Sequence, residues 1–163
     1  MALPDPLLDR AARLLERLRS ARMMLATAES CTGGLVAAGF TEIAGSSDVV
    51  ERGFVTYSNT AKSELLGVPA PLIAKHGAVS AQVALAMAEG ALARAPVDVT
   101  IAVTGIAGPG GASPGKPVGL VYLAVARKSR DTLVERHQFS GDRTAVRLAT
   151  VEAAFDLIER QLA

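Results

Sequence analysis

Residues 23–28 form a short apolar run with charge on either side, which suits a strand buried on both faces better than a helix. Such a strand needs covering layers above and below its sheet, so the rest of the chain must supply helices to both faces.

The flanking pattern supplies them. Asp5 is placed as an N-cap and Pro6 as the first residue of a helix running to about residue 19, with Leu7, Ala11, Leu14 and Leu18 at helical spacing. A short helix over 35–40 and a second strand over 49–57 follow. Ser58 and Asn59 are cap residues for a further helix that Gly67-Val68-Pro69 stops, 71–75 reads as one more turn, and Ser80 caps an alanine-rich helix to about Arg94. A third strand is expected over 97–103, then a strand pair over 118–126 and 132–139 around a charged turn at 127–131. A last helix starts near Asp142, because Leu148, Val151, Phe155, Ile158 and Leu162 recur at three and four. With 163 residues, the expectation is one α/β domain over 1–163, a three-layer α/β/α arrangement around a mixed sheet, with its N-terminal helix within 1–20.

Composition removes several functions. Seventeen basic against sixteen acidic residues give a net charge of +1, with no block of one sign to steer toward nucleic acid. Two tyrosines, four phenylalanines and no tryptophan are too few and too scattered for a base-stacking platform. The single cysteine, Cys31, excludes an internal disulfide and a multi-cysteine zinc site. The first 19 residues carry charges throughout, and no run approaches the roughly 20 apolar residues of a membrane span, so a cytoplasmic location is expected.

The first strand runs into Glu29-Ser30-Cys31-Thr32-Gly33-Gly34. If a helix opens there, its free N–H groups and dipole could hold an anion or a developing oxyanion at Thr32, Gly33 and Gly34, or the segment could be a plain strand-to-helix connection. Either Ser30 or Cys31 could serve as nucleophile; a thiol is intrinsically the better one, yet a cysteine beside two glycines is also an ordinary buried residue. Five glycines and three prolines fall within 105–117, which excludes regular structure. Gly110-Gly111-Ala112-Ser113-Pro114-Gly115-Lys116 has phosphate-loop spacing, but Pro117 stands where a magnesium-binding hydroxyl is needed, so a nucleoside-triphosphate site is rejected. The glycines also miss the dinucleotide-binding spacing.

Tyr57, Asn59 and Lys62 cluster at the second strand-to-helix junction, where any of them could be exposed scaffold, the usual state of a lone lysine on a helix. A serine nucleophile without a histidine partner needs a neutral amine as its base. At the unperturbed lysine pKa only about 1 side chain in 2,500 is neutral at pH 7, so Lys62 would need a depressed pKa to serve. His76 and His137 are the only histidines, and neither has carboxylates at metal-ligand spacing, so no metal site is expected. Arg143, at the start of the last helix, is either a solvated first-turn residue or an anion clamp.

Ala28-Glu29-Ser30-Cys31-Thr32-Gly33-Gly34, Gly53-Phe54-Val55-Thr56-Tyr57-Ser58-Asn59, His76-Gly77-Ala78-Val79-Ser80, Thr104-Gly105-Ile106-Ala107-Gly108-Pro109 and Phe139-Ser140-Gly141-Asp142-Arg143, in this order, resemble the C-terminal domain of the competence/damage-inducible protein CinA, the nicotinamide-nucleotide amidase family. The resemblance covers about residues 23–162. It implies hydrolysis of the carboxamide of nicotinamide mononucleotide (NMN) to nicotinate mononucleotide and ammonia, with no metal and no cofactor. It further implies Ser30 as nucleophile, Lys62 as its base and Tyr57 as an aid to proton transfer between them. Backbone N–H groups at Thr32, Gly33 and Gly34, or near Thr104 and Gly105, would hold the oxyanion. Thr104, Gly105 and Arg143 would cradle the phosphate, with Asn59 nearby. Many relatives carry a second, N-terminal domain; here one helix precedes the first motif, so a stand-alone amidase is expected, as a homodimer or higher homo-oligomer.

Overall fold

The computed structural model describes all 163 residues. Five strands, β1 (Leu25–Glu29), β2 (Val50–Val55), β3 (Val99–Gly105), β4 (Leu120–Arg127) and β5 (Arg130–Gln138), form one sheet in the order β2-β1-β3-β4-β5. β1 is parallel to both β2 and β3, whereas β4 and β5 run antiparallel, so the sheet is mixed. Helices α1 (Asp5–Ser20), α2 (Leu35–Thr41) and α6 (Arg143–Leu162) cover one face, and α3 (Asn59–Leu66), α4 (Ala70–His76) and α5 (Ala81–Arg94) cover the other. No helix is long and apolar enough to cross a membrane.

The alternation of side-chain size within the strands explains why the two faces differ. Val99, Ile101 and Val103 of β3, with Val121, Leu123 and Val125 of β4, point into a large core against Leu14, Leu18 and Phe155. The intervening Ala102, Ala124 and Ala126 face Ala84, Ala88 and Ala91 of α5. Small residues on both sides let α5 lie close to the sheet, where the Thr100 hydroxyl donates to the Ala88 carbonyl at 2.6 Å.

Several boundaries differ from those read off the sequence, each for a local reason. Pro4, not Asp5, is the N-cap of α1, and Asp5 lies in the first turn, where negative charge complements the helix dipole. The turn at 71–75 is a full helix, α4, since Pro71 occupies a first-turn position that has no N–H to satisfy. β1 and β3 begin two residues later than expected: the Asp98 carboxylate accepts the Met24 amide at 2.8 Å, tying the two strand entrances together before the ladder starts. The charged turn tightens to Lys128-Ser129, with Ser129 at φ +62°.

β2 and β3 flank β1 on opposite sides, so the connections leaving β1 and β2 diverge. A crevice opens at the carboxyl ends of these parallel strands, the place where open α/β sheets bind ligands.

Candidate active site

Strand register brings together residues that are distant in sequence. Glu29 pairs with Val55 on one side and Val103 on the other, and the Thr56 amide donates to the Glu29 carbonyl at 2.9 Å. Ser30, the next residue after β1, therefore lies beside the exit of β2. Ser58 then caps α3 by accepting from the Ala61 amide at 3.0 Å, which turns the first turn of α3, and Lys62 with it, back toward Ser30.

Lys62 is 1% exposed and makes no ion pair. Its Nζ lies 3.1 Å from Ser30 Oγ, 2.9 Å from the Thr56 carbonyl and 3.4 Å from the Tyr57 carbonyl. Burial holds its pKa below the ordinary lysine value. In the neutral state the two amine N–H groups can serve the two carbonyls, leaving the lone pair for the Ser30 hydroxyl proton. The geometry is that of a general base on a serine nucleophile.

Ser30, Cys31 and Lys62 open onto a cavity of about 300 Å³, which Tyr57, Asn59, Thr104, Gly105 and Arg143 also line. Cys31 is a poor nucleophile there: burial pushes its thiol up to about 12. Arg143 spans the mouth, donating from Nη1 to the Gly108 carbonyl at 2.8 Å and from Nη2 to the Tyr57 hydroxyl at 2.9 Å. It is the guanidinium that borders the cavity.

The model of the CinA C-terminal domain family matches residues 8–162. The chain belongs to the CinA C-terminal domain family. It is 51% identical over 152 residues to the nicotinamide-nucleotide amidohydrolase PncC of Pseudomonas putida, covering 93% of this chain and 94% of that protein. A CinA-like protein of Citrifermentans bemidjiense is 55% identical over 150 residues, and the chain spans 36% of its length, about a third as with the other CinA-like relatives. The competence/damage inducible protein CihA of Agrobacterium tumefaciens superposes with a TM-score of 0.95 at 47% identity, covering 98% of each chain.

In this CinA-family chain the expected site residues divide into two groups. Ser30, Tyr57, Asn59, Lys62, Thr104, Gly105 and Arg143 meet at one cavity; Thr32, Gly33 and Gly34 do not line it. The start of α2 cannot serve as an anion site because it is already filled. The Glu29 carboxylate accepts from the Val36 and Ala37 amides at 2.8 and 3.1 Å and from the Thr32 hydroxyl at 2.6 Å. Tyr57 also departs from expectation. Its side chain is among the exposed ones, at 61%, its hydroxyl is bonded to Arg143, and the direct 3.1 Å contact between Ser30 and Lys62 leaves no gap for a relay. The Thr104 hydroxyl is committed to the Ala78 carbonyl at 2.8 Å, so β3 is anchored to the segment before α5.

Sequence reasoning missed Ala78, Val79 and Ile106 as cavity walls and Glu29 as the cap of α2. The signal for Glu29 was present: a carboxylate closing a buried strand must find donors inside the fold. His76 ends α4, where its carbonyl accepts from Lys116 Nζ, and His137 bonds to Glu135 at 2.6 Å on β5, so neither borders the cavity. No group of three or more His, Cys, Asp or Glu side chains is arranged to hold a metal ion.

Proposed function

We propose that this chain hydrolyses the carboxamide of NMN to nicotinate mononucleotide and ammonia, with Ser30 as nucleophile and Lys62 as general base. The observation that carries the proposal is the buried 3.1 Å contact between Ser30 Oγ and Lys62 Nζ at a cavity. The substrate class comes from the amidohydrolase relative matched over nearly its full length.

The steps balance without a cofactor. Lys62 takes the Ser30 hydroxyl proton as Oγ bonds to the carboxamide carbon. The tetrahedral oxyanion forms next to the amide of Cys31, the cavity residue that directly follows the nucleophile. Lys62 returns the proton to nitrogen as the C–N bond breaks, releasing ammonia and leaving an ester on Ser30. Water, deprotonated by Lys62, attacks that ester; the C–Oγ bond breaks and Ser30 regains its proton. Arg143 takes the phosphate at the mouth, with Asn59, Thr104 and Gly105 shaping the wall; Tyr57 holds Arg143 in place rather than moving protons.

This reading places the reaction in the cytoplasm, in one catalytic domain over 1–163. It includes a homodimer or higher homo-oligomer, for which the sheet offers two edge strands, β2 with the exposed Val55 and β5 with the exposed Leu133. The test is ammonia release from NMN by the purified chain, without added metal or nucleoside triphosphate. No ammonia, together with thermal stabilisation by NMN, would replace the reading with a non-catalytic nucleotide-binding module.

A further inference from the structure

The carboxylate of Glu29 is 1% exposed, yet no cation pairs with it. Its three donors are two amides of the first turn of α2 and the hydroxyl of Thr32, so one side chain joins the last residue of β1 to the beginning of α2. Between those points lies the turn that starts at Ser30. It closes through the Gly33 amide on the Ser30 carbonyl and the Leu35 amide on the Thr32 carbonyl, each at 3.0 Å. Gly33 and Gly34 adopt φ of +58° and +101°, values that L side chains rarely take, so the chain here has little conformational preference of its own to hold it. The same Thr32 is gripped from α6: Arg147 Nη2 donates to its carbonyl at 2.8 Å. Thr32 thus has its hydroxyl fixed by an anion and its carbonyl by a cation, two residues after the nucleophile.

We propose that Glu29 and Arg147 are positioning residues for the reaction: they clamp Thr32 from opposite sides and so hold Ser30 Oγ on Lys62. The inference rests on Ser30 as nucleophile. The two groups act at a distance from the substrate, since neither lines the cavity. Loosening the turn should therefore lower the rate of the chemical step and leave ligand binding at the mouth largely unchanged. A displacement of about 1 Å at a reacting group costs on the order of a hundredfold in rate.

Three substitutions probe the clamp from its Glu29–Thr32 side. Glu29→Gln keeps the shape but turns an N–H toward the amides of α2. Thr32→Val removes the hydroxyl at constant volume, and Thr32→Ser restores it. The readouts are kcat and KM for NMN, and the rate at which a fluorophosphonate modifies Ser30, which needs no knowledge of the substrate. Glu29→Gln and Thr32→Val are expected to lower kcat and Ser30 labelling by about tenfold to a hundredfold with KM within about threefold, and Thr32→Ser to stay near the native rates. A folded Glu29→Gln with native kcat and labelling overturns the proposal, as does a loss confined to KM. If Glu29→Gln does not fold, the Thr32 pair decides: equal rates for Thr32→Val and Thr32→Ser overturn it. A native chain that labels at Ser30 but releases no ammonia from NMN would refute the substrate and leave the labelling comparison to judge the clamp.

Discussion

Gly90→Ala gives a stability prediction whose sign separates local propensity from packing. Gly90 lies within α5, where alanine is the better helix former by about 0.5–1 kcal/mol. A Cβ built there, however, would stand 2.0 Å from the Leu66 carbonyl oxygen and 3.0 Å from its carbon, at the end of α3. The obstacle is backbone, so it cannot rotate away. Restoring ordinary contact near 3.4 Å requires α3 and α5 to part by about 1.4 Å. Overpacking of that kind costs about 1–3 kcal/mol, which exceeds the propensity gain and leaves a net loss of about 1–2 kcal/mol. For a chain of this size that lowers Tm by about 3–6 °C. Leu66 is one turn beyond Lys62 on the same helix, so the displacement also disturbs the 3.1 Å contact with Ser30, and kcat should fall by about tenfold or more. Calorimetric melting and ammonia release on the same preparation measure both effects. A Tm that rises by a few degrees with kcat unchanged would refute the packing account.

Four further outcomes are expected. Because the buried Lys62 has a folded pKa below its unfolded value of about 10.4, kcat/KM should rise with pH until Lys62 is neutral; a flat profile from pH 6 to 9 would contradict Lys62 as base. The same shift makes the cost of burying the ammonium fully present below the folded pKa and lost as pH rises toward the unfolded one, so stability should gain across that window in the native chain and not in Lys62→Met. Cys31, held near 12 by burial, should resist iodoacetamide at pH 8 in the folded chain and react once the chain is unfolded in urea. Arg143→Ala should raise KM for NMN by about tenfold with kcat within about threefold, and leave a substrate lacking the phosphate unaffected; equal KM values would remove Arg143 from the phosphate site.

Local chemistry made several helix starts on both faces legible. Ser58 and Ser80 cap the helices expected of them, accepting from the Ala61 and Val83 amides, and Asp142, near which the last helix is expected to start, caps it by accepting from the Ala145 amide. Strand starts were less legible because the side chain of Asp98, 74 residues from Met24, substitutes for the first rung of the ladder. The site was half visible. The residues alone leave Ser30 and Cys31 open as nucleophile and Lys62 as one of three junction residues, and the family resemblance chooses Ser30 and Lys62; these are 32 residues apart, and only the pairing of Glu29 with Val55 sets them side by side. The glycines at 33 and 34 misled: they suggest a backbone open to ligand, whereas the helix start is filled by a carboxylate from the strand before it. Tyr57 misled for a related reason, since its carbonyl rather than its hydroxyl faces Lys62, a distinction of backbone direction that residue identity does not carry.

The most direct test of the Ser30–Lys62 account is a comparison of ammonia release from NMN by the native chain, Ser30→Ala and Lys62→Met, with NMN-dependent thermal stabilisation measured on all three. The account predicts turnover in the native chain alone and stabilisation by NMN in each. Ammonia released at the native rate by either variant would contradict it.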